Sequence, residues 1–393
     1  MQASCPCGSA SVRSHIRDVW WRWRATVGPC VGWKAGVSCE RENVTPKESA
    51  VFHREEKMAA SRQMNACSIP CNLCGGAEVS ILANRSRSGK PLRTVICQAC
   101  GLVWSDPRPH EARQFYEEEY RLSYKRAYSP KSKHVLRAGH VALSRFEKIE
   151  QFLSSRKAVL DVGTGGGEFA YLLQSLGHGV DGIEPNRGYA DYSICEYGLT
   201  VQVGFVQDAA FVPDSFDVVT IWHVLEHTED PGFILALLRS WLKPDGMLVV
   251  EVPNVEATCQ APRSTFHEAH LYNFNVVSLR RLARKHGLHE SRHLISRDGG
   301  NITMFLSRTE PLIQDRYDAS IPGNCEWISR IVRRHSNVRR HLTPLPYVRV
   351  WQRLCRSLQE RRQTADERSG KALLDQLYAP RLQLHSVERH EEI

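Results

Sequence analysis

The feature that most constrains the fold is a short apolar strand that leads directly into a glycine-rich loop, in the segment AVLDVGTGGGEFA that begins at Ala158. Apolar runs of strand length alternate with helical stretches from this point, and these runs cover residues 158–162, 179–183, 216–221 and 247–252. Such alternation predicts parallel strands joined by helical crossovers. The sequence therefore predicts an α/β fold, with a doubly wound, mostly parallel Rossmann-like sheet over residues 151–309.

Helices and one more strand complete the predicted elements. Helices are predicted over residues 168–176 and 233–242, and the segment NVVSLRRLARKHGL predicts a helix that ends at Gly287. The segment NITMFLSR predicts a late edge strand. Farther on, the pattern becomes helical and basic, with ten arginines and a single acid, Glu360, within residues 330–362.

The first 57 residues differ from the rest, because their tryptophan, glycine and cysteine residues follow no helical or strand period. We expect residues 1–57 to be a poorly organised extension that function does not need, and Met58 and Met64 are plausible alternative starts. Their arginine-rich, acid-poor beginning also allows a transit peptide. The remaining regions are a compact cysteine-rich unit at 67–108, a helical linker or lid at 109–150 and a basic, mainly helical region at 310–393.

The glycine loop favours a cofactor without phosphates. Its glycines, Gly163, Gly165 and Gly167, permit a sharp turn and let a ligand approach the N-terminus of the following helix. A nicotinamide-binding loop has the pattern G-x-G-x-x-G, but the third glycine position of that pattern is Glu168 here. A carboxylate at this position is a poor neighbour for a pyrophosphate.

Two carboxylates at strand ends indicate what the ligand offers. Asp161 can receive an ammonium group or a water network from an amino-acid-like ligand. Glu184, at the end of the second strand, can accept hydrogen bonds from both hydroxyls of a ribose. The loop and the two acids together predict a ligand that carries an amino-acid portion and a nucleoside.

The glycine loop and the second-strand acid are followed along the chain by the segments SFDVVTIWHVLEH and LKPDGMLVVEVPN. Taken together, these motifs resemble those of the class I S-adenosylmethionine-dependent methyltransferases, over about residues 140–308. The resemblance implies an enzyme with S-adenosylmethionine as its cofactor. It implies that the glycine motif binds the methionine portion, that Glu184 binds the ribose, and that the strand and loop FDVVTIWHVLEH face the adenine or the acceptor.

One position departs from the family pattern. Many relatives carry an aspartate after the glycine that follows the third strand, whereas this chain has Phe205 there and Asp208 farther on. Either Asp208 reaches the adenine, or Phe205 packs on the base and the backbone makes the polar contact. The candidate cofactor contacts are Asp161, Gly163, Gly165, Gly167, Glu184, Asp208 and Trp222.

Four cysteines form two C-x-x-C pairs, and a glycine follows the second cysteine of each pair. Such glycines permit the tight turn that points both thiolates inward, and four thiolates suit a tetrahedral Zn²⁺ without an open position. We expect a zinc-ribbon-like domain at 67–108 with structural zinc on Cys71, Cys74, Cys97 and Cys100. A zinc ribbon before a methyltransferase core resembles a bacterial subgroup often associated with sugar and secondary-metabolite methylation.

The segment HVLEH, from His223 to His227, has the H-x-x-E-H arrangement of inverted zinc metallopeptidases. A peptidase helix would continue through both histidines, but this segment leaves a predicted strand and reaches Pro231 within two turns. We therefore expect a loop in which Glu226 and His227 shape the backbone. His223 is the candidate catalytic residue, as a general base that takes a proton from the acceptor or as a wall of the pocket.

The segment STFHEAHLYNF adds two candidate acceptor-binding residues, His267 and His270. Family resemblance also leaves a second metal site open. Small-RNA 2′-O-methyltransferases and some quinone O-methyltransferases have a loop that resembles this one, but they carry an acid at the position of His223. They use the resulting E-x-x-E-H cluster to hold a divalent ion. The missing acid weighs against that site here.

Composition limits the class of protein more than the partner. The chain has 393 residues, 42% of them hydrophobic, and it contains no apolar run long enough to span a membrane. We therefore expect a cytoplasmic protein of several domains. The chain has thirteen cysteines, an odd number, so they cannot all pair as disulfides. This count favours a reducing compartment over a disulfide-bonded protein. The formal net charge of +9 favours anionic partners in general.

Three functions are compatible with these patterns. The first is methyl transfer to a small-molecule or saccharide acceptor, with O-methylation favoured over N- or C-methylation. The second is an RNA methyltransferase or RNA-binding protein that uses the cysteine unit and the basic tract 330–362. The third is an inactive scaffold, but the retained acids and glycines of the cofactor motif argue against it.

Overall fold

The computed structural model describes residues 68–107, 130–309, 319–363 and 369–391. The predicted N-terminal extension lies outside the described residues, and so do residues 109–129 of the predicted linker. Among the described helices, none is long and apolar enough to cross a membrane. The cytoplasmic location stays a prediction.

A seven-stranded mixed sheet forms the centre of the fold. Its strands are β4 (Ala158–Val162), β5 (Gly179–Glu184), β6 (Thr200–Val203), β7 (Phe216–Trp222), β8 (Leu242–Pro253), β10 (Leu288–Ile295) and β11 (Asn301–Arg308). Their order is β10-β11-β8-β7-β4-β5-β6. Strands β4 to β8 are parallel, and β11 and β10 add an antiparallel edge. The predicted Rossmann-like architecture is confirmed.

Helices cover both faces of this sheet and extend beyond it. They are α1 (Ser132–Ile149), α2 (Glu168–Ser175), α3 (Arg187–Tyr197), α4 (Pro231–Trp241), α5 (Val276–Lys285), α6 (Asn324–Arg334), α7 (Asn337–His341), α8 (Leu345–Gln363) and α9 (Gly370–Glu391). Local caps define several starts: the side chains of Asn186, Asp230 and Asn275 accept hydrogen bonds from the first turns of α3, α4 and α5. The predicted helical C-terminal region is confirmed.

The prediction of an edge strand at NITMFLSR was wrong. This segment is β11, which pairs with β8 on one side and with β10 on the other. The true edge is β10, whose sequence LHESRHLI mixes charged and apolar residues and is mostly half-exposed. An edge strand needs no continuous apolar run, because one of its sides faces solvent. Its polar sequence therefore gave no strand signal.

A second, four-stranded antiparallel sheet contains the cysteine unit. Strands β1 (Val79–Arg85), β2 (Pro91–Cys97) and β3 (Val103–Ser105) are joined by β9 (Tyr272–Asn273). Because β9 lies between β8 and α5 in the chain, the sheet crosses the predicted boundary of the cysteine unit. Buried residues of this unit, such as Trp104, belong to the same apolar cluster as Leu160 of the central sheet.

The last helix, α9, packs against α1 and α2. The hydroxyl of Tyr378 donates a hydrogen bond of 2.9 Å to the carbonyl of Glu168. Gly139 of α1 lies so close to the side chains of Leu374 and Leu377 that an added Cβ would be within 2.7 Å of both. The C-terminal helix thus buries the outer side of the helix that follows the glycine loop.

Candidate functional site

A cavity of about 770 Å³ lies at the carboxyl ends of the central strands. Gly163 after β4, Glu184 of β5 and Trp222 of β7 line it, and α1 covers one side. Open parallel sheets bind ligands at this edge, and the volume suits a nucleoside-sized molecule with space beside it. The strand ends that the sequence singled out therefore meet in one place.

The glycine loop forms the floor of this cavity. Gly163 and Gly165 have φ values of 75° and 63° and line the cavity. The third glycine, Gly167, has φ of 88° but does not line it. A Cβ at Gly167 would be 2.6 Å from Cβ of Ser193 on α3, so this glycine permits the close approach of α2 and α3. The predicted cofactor contact of Gly167 is thus a packing position.

Glu184 is hydrogen-bonded to the glycine loop at the edge of the cavity. One carboxylate oxygen accepts a 2.8 Å hydrogen bond from the backbone N–H of Gly165, and the other accepts one of 3.0 Å from Asn186. The side chain is buried, and it lines the cavity. A carboxylate in the cavity lining can accept hydrogen bonds from ribose hydroxyls, because each of its oxygens accepts more than one hydrogen bond.

Asp161 lies beneath the loop and does not line the cavity. It is buried, and its carboxylate accepts a 2.8 Å hydrogen bond from the hydroxyl of Thr220. Burial raises the pKa of Asp161 to about 6, against the opposing effects of the nearby Arg145 and of the Thr220 hydroxyl. Arg145 does line the cavity. Asp161 therefore supports the loop from below, and a direct contact with the ligand stays a prediction.

Aromatic and amide side chains line the side expected to hold the adenine. Phe205 and Gln207 line the cavity, whereas Asp208 is exposed outside it. Trp222 is buried and lines the cavity, and its ring makes an edge contact with Phe169 at 5.7 Å between centroids. Of the two sequence alternatives, this placement favours Phe205 over Asp208.

The H-x-x-E-H segment is a loop, as predicted. Strand β7 ends at Trp222, and a single short turn, Leu225–His227, precedes α4, which begins at Pro231. His223 has φ of 56°, an unusual left-handed conformation for a non-glycine residue. Its backbone N–H donates a 2.8 Å hydrogen bond to the carbonyl of Glu251. The peptidase-helix interpretation is excluded by this geometry.

His223 is held between two carboxylates. Its Nε2 lies 3.2 Å from a carboxylate oxygen of Glu251, and its Nδ1 lies 3.5 Å from one of Glu226. Burial alone would lower the pKa of His223, but the two carboxylates together raise it to about 9. At neutral pH the ring is thus a cation, which is not the protonation state of a general base.

Glu226, His227 and His270 form a compact cluster of possible metal ligands. Their ligand atoms lie within 4.8 Å of one another. Glu226 is buried, and neither of its carboxylate oxygens has a hydrogen-bond donor among the described residues; His227 approaches one of them at 3.6 Å. His227 donates from Nδ1 to the carbonyl of Ala269 at 2.7 Å, which leaves Nε2 as a ligand atom.

The donor set of this cluster fits a divalent cation. Burial lowers the pKa of His270 to about 3, so the ring is neutral, as a metal ligand must be. Two imidazoles and a carboxylate suit ions such as Mn²⁺, Fe²⁺ or Zn²⁺. The charged ring of His223, 3.5 Å from Glu226, offsets part of the cost of burying this carboxylate, and a divalent cation in the cluster would offset more of it.

His267 and His270 lie beside the cavity instead of in its lining. The Nδ1 of His267 accepts a 2.9 Å hydrogen bond from the backbone N–H of Ala269. The ring of His270 is 4.9 Å from that of His227, and His227 lines the cavity. The acceptor-binding role that the sequence predicts for both residues stays a prediction, and the structure places His270 in the candidate metal cluster.

The four predicted zinc ligands converge. Cys71 and Cys100 have sulfur atoms 3.4 Å apart, as do Cys74 and Cys97, and all four sulfurs lie within 4.8 Å of one another. The glycines after each pair, Gly75 and Gly101, both have φ of 74°. The predicted turns are confirmed, and the four cysteines can hold one metal ion.

The sheet of the cysteine unit fixes the segment that carries His270. Ser105 of β3 donates from its backbone N–H to Leu271 at 2.9 Å and from its hydroxyl to the carbonyl of His270 at 3.2 Å. Arg87, in the turn between β1 and β2, donates its backbone N–H to Phe266 at 2.8 Å. The cysteine unit is therefore bound to the segment that carries His270, beside the cavity.

Comparisons with known proteins agree with this geometry. Residues 135–290 match the family model described as a methyltransferase domain. The chain therefore contains a methyltransferase domain. A ubiquinone biosynthesis O-methyltransferase of Paraburkholderia phymatum is 36% identical over 104 residues, which are 25% of this chain and 45% of that protein. The chain therefore matches about half the length of this curated relative.

One further curated relative and one solved structure are also similar to this chain. The ubiquinone biosynthesis O-methyltransferase of Actinobacillus pleuropneumoniae is 36% identical over 108 residues, covering 25% of this chain and 46% of that protein. The crystal structure of the Burkholderia thailandensis 1,6-didemethyltoxoflavin-N1-methyltransferase contains S-adenosylhomocysteine. It is 18% identical, with a TM-score of 0.42, and the alignment covers 56% of this chain and 96% of that one.

Sequence reasoning missed two charged residues of the methyltransferase domain. Arg145 belongs to α1, upstream of every motif, and no pattern marked it. Glu251 was visible as the one acid in the apolar strand segment MLVVEVP. Its carboxylate is bound by Lys148 of α1 at 2.5 Å and by the hydroxyl of Thr303. An acid inside a buried strand is a signal, because such groups need partners.

Proposed function

We propose that this protein transfers a methyl group from S-adenosylmethionine to a hydroxyl group of a small-molecule or saccharide acceptor. The observation that carries the proposal is that Glu184, hydrogen-bonded to the backbone of Gly165, lines a cavity of about 770 Å³ together with Gly163 and Gly165. The names of the curated relatives support an O-methylation of a small molecule. They give no support to the alternative of a nucleic-acid partner.

The cavity residues suggest how the cofactor is bound. Glu184 accepts the ribose hydroxyls, and the glycine loop admits the methionine portion. Gly163 must be a glycine here, because a side chain at this position would overlap Val224. Phe205 packs against the adenine. These contacts orient a sulfonium that is already electrophilic, so alignment with the acceptor supplies much of the rate.

Direct titration with S-adenosylhomocysteine tests this function. Glu184→Ala removes a charged acceptor of two hydrogen bonds, so we expect affinity to fall by roughly 10- to 150-fold. Isothermal titration calorimetry on both proteins measures the change. Asp191→Ala, which removes an exposed carboxylate from α3, is the matched control and should bind as the native protein does. Absence of binding to the native protein would refute the proposed function.

We further propose that Glu226, His227 and His270 hold a divalent cation beside the acceptor. When bound, such an ion lowers the pKa of a coordinated hydroxyl and stabilises its oxyanion. The imidazole and carboxylate ligands come from the loop after β7 and from the segment before β9, so both must be in place. His223 and Glu251 then position the loop from the opposite side.

A role of His223 in turnover has a separate test. His223→Ala removes the cation between Glu226 and Glu251, and it leaves the contacts of Glu184 in place. We expect turnover to fall by about 10²- to 10⁴-fold if the ring transfers a proton, with S-adenosylhomocysteine affinity nearly unchanged. His223→Gln separates positioning from proton transfer, because it keeps a polar side chain but cannot titrate. Unchanged turnover in both variants would make the residue part of the architecture only.

The cysteine unit is proposed to contain structural zinc. Four convergent thiols leave no coordination position for substrate. The unit contains only three short strands of its own, so a metal ion would supply much of its stability. Its hydrogen bonds to Phe266, His270 and Leu271 link this stability to the acceptor side of the cavity.

A further inference from the structure

Helix α8 is attached to the rest of the protein by its polar side. The guanidinium of Arg349 donates to the carbonyl of Cys259 at 2.8 Å and forms an ion pair with Asp298. Farther along, the carboxylate of Glu360 forms an ion pair with Arg137 of α1. Arg349 and Glu360 are eleven residues apart and so lie on one side of the helix. This side faces the methyltransferase domain.

The opposite side of α8 is apolar and exposed. Tyr347, Val350, Trp351 and Leu354 follow the i, i+3, i+4, i+7 spacing of one helix face, and each is between 56% and 67% exposed. Val338 of helix α7 and Leu342, which directly follows this helix, add to the stripe and are exposed by 72% and 81%. A soluble helix normally buries such a stripe against its own core, so an outward stripe indicates an external partner.

The charges around this apolar stripe define the chemistry of the partner. No acidic residue occurs between Glu326 and Glu360, whereas this interval contains eight arginines. Arg339 and Arg353 are exposed beside the apolar residues. An apolar stripe with tryptophan and tyrosine at its centre and arginines at its rim complements a surface with anionic groups above hydrocarbon.

Two other occupants fit this surface less well. A second copy of the chain would bring the same arginine-rich rims together without acids to neutralise them. A nucleic acid would supply phosphates but would leave the aliphatic residues Val338, Leu342 and Leu354 without an apolar partner. An anionic phospholipid bilayer supplies both complements.

We propose that the exposed face of α7 and α8 binds the surface of membranes that contain anionic phospholipids. The helix lies in the plane of the interface, with Trp351 and Leu354 inserted among the acyl chains and Arg353 near the headgroups. Arg137, which holds Glu360 of α8, also lines the cavity. The bound bilayer would therefore lie beside the cavity, although membrane binding does not depend on the proposed methyl transfer.

Vesicle flotation of the full chain tests the proposal. We expect it to float with phosphatidylcholine vesicles that contain phosphatidylglycerol, to bind much less to phosphatidylcholine alone, and to be released by high salt. Arg339→Glu combined with Arg353→Glu should weaken partitioning by at least about 25-fold, since each arginine near an anionic surface contributes about fivefold. Arg156→Glu, at an exposed site on another element, is the matched charge control.

The apolar contribution has its own pair of variants. Trp351→Ala should weaken partitioning by roughly tenfold, whereas Phe233→Ala, at an exposed aromatic of α4, should leave it unchanged. Both positions are exposed, so we expect the variants to fold, which far-ultraviolet circular dichroism checks. The proposal is overturned if the native chain does not float, or if these variants float as well as it does. Sedimentation equilibrium that shows a dimer dissociated by Trp351→Ala would also overturn it, because the face would then be a protein interface.

Discussion

Loss of the metal from the four cysteines is expected to destabilise the protein by several kcal/mol, about the order reached by structural zinc sites, and to abolish most turnover. In Cys97→Ser, one thiolate ligand is lost at the end of β2, and the remaining three cannot close a tetrahedral site. Strand β3 then loses its anchor. Because Ser105 of β3 binds both His270 and Leu271, the acceptor side of the cavity loses its support.

Metal content, thermal unfolding and turnover are measured together on the same preparations. Native protein should contain one zinc per chain by plasma emission spectrometry, and Cys97→Ser should contain less. Cys355→Ser, which alters an exposed free cysteine on α8, is the matched control and should keep native metal content and stability. A Cys97→Ser protein that unfolds at the native temperature would contradict the structural role. A native protein free of zinc would contradict the choice of metal.

The middle of the central sheet was predictable because β4, β7 and most of β8 are buried on both faces and read as apolar runs. The segment AVLDV became β4 with the predicted bounds, and Glu184 and Trp222 end their strands at the cavity. Edge strand β10 was missed for the opposite reason, since a half-exposed strand keeps polar residues. Local pattern therefore located the cofactor side of the site and failed at the edge of the sheet.

The acceptor side depends on contacts that sequence spacing does not encode. Glu251 meets His223 across 28 residues of chain, so the charge state of that histidine could not be read from HVLEH. The strand β9 is only two residues long, and its pairing with β3 connects segments about 170 residues apart. Both contacts arise from tertiary packing, which overrides local preference.

Loss of a ligand in the second cluster is expected to affect turnover without unfolding the protein. Glu226→Gln keeps the shape of the side chain but removes the charge that three neighbouring imidazoles surround. If the cluster holds a catalytic cation, turnover should fall by more than roughly a hundredfold, which exceeds the usual cost of altering an outer-shell partner. S-adenosylhomocysteine affinity should stay near native, because Glu184 makes its hydrogen bonds to Gly165 and Asn186 and both Glu184 and Gly165 line the cavity, whereas Glu226 does not.

Manganese binding distinguishes this cluster from the cysteines, because thiolate sites select zinc whereas carboxylate and imidazole ligands accept Mn²⁺. Native protein should remove the electron paramagnetic resonance signal of free Mn²⁺ from solution, and His270→Ala should not. His289→Ala, on exposed edge strand β10, is the matched control and should bind as the native protein does. If native protein leaves the free Mn²⁺ signal unchanged and its turnover resists chelation, Glu226 is a buried acid held by histidines alone. Turnover would then depend on the electrostatic balance among Glu226, His223 and Glu251 instead of on an ion.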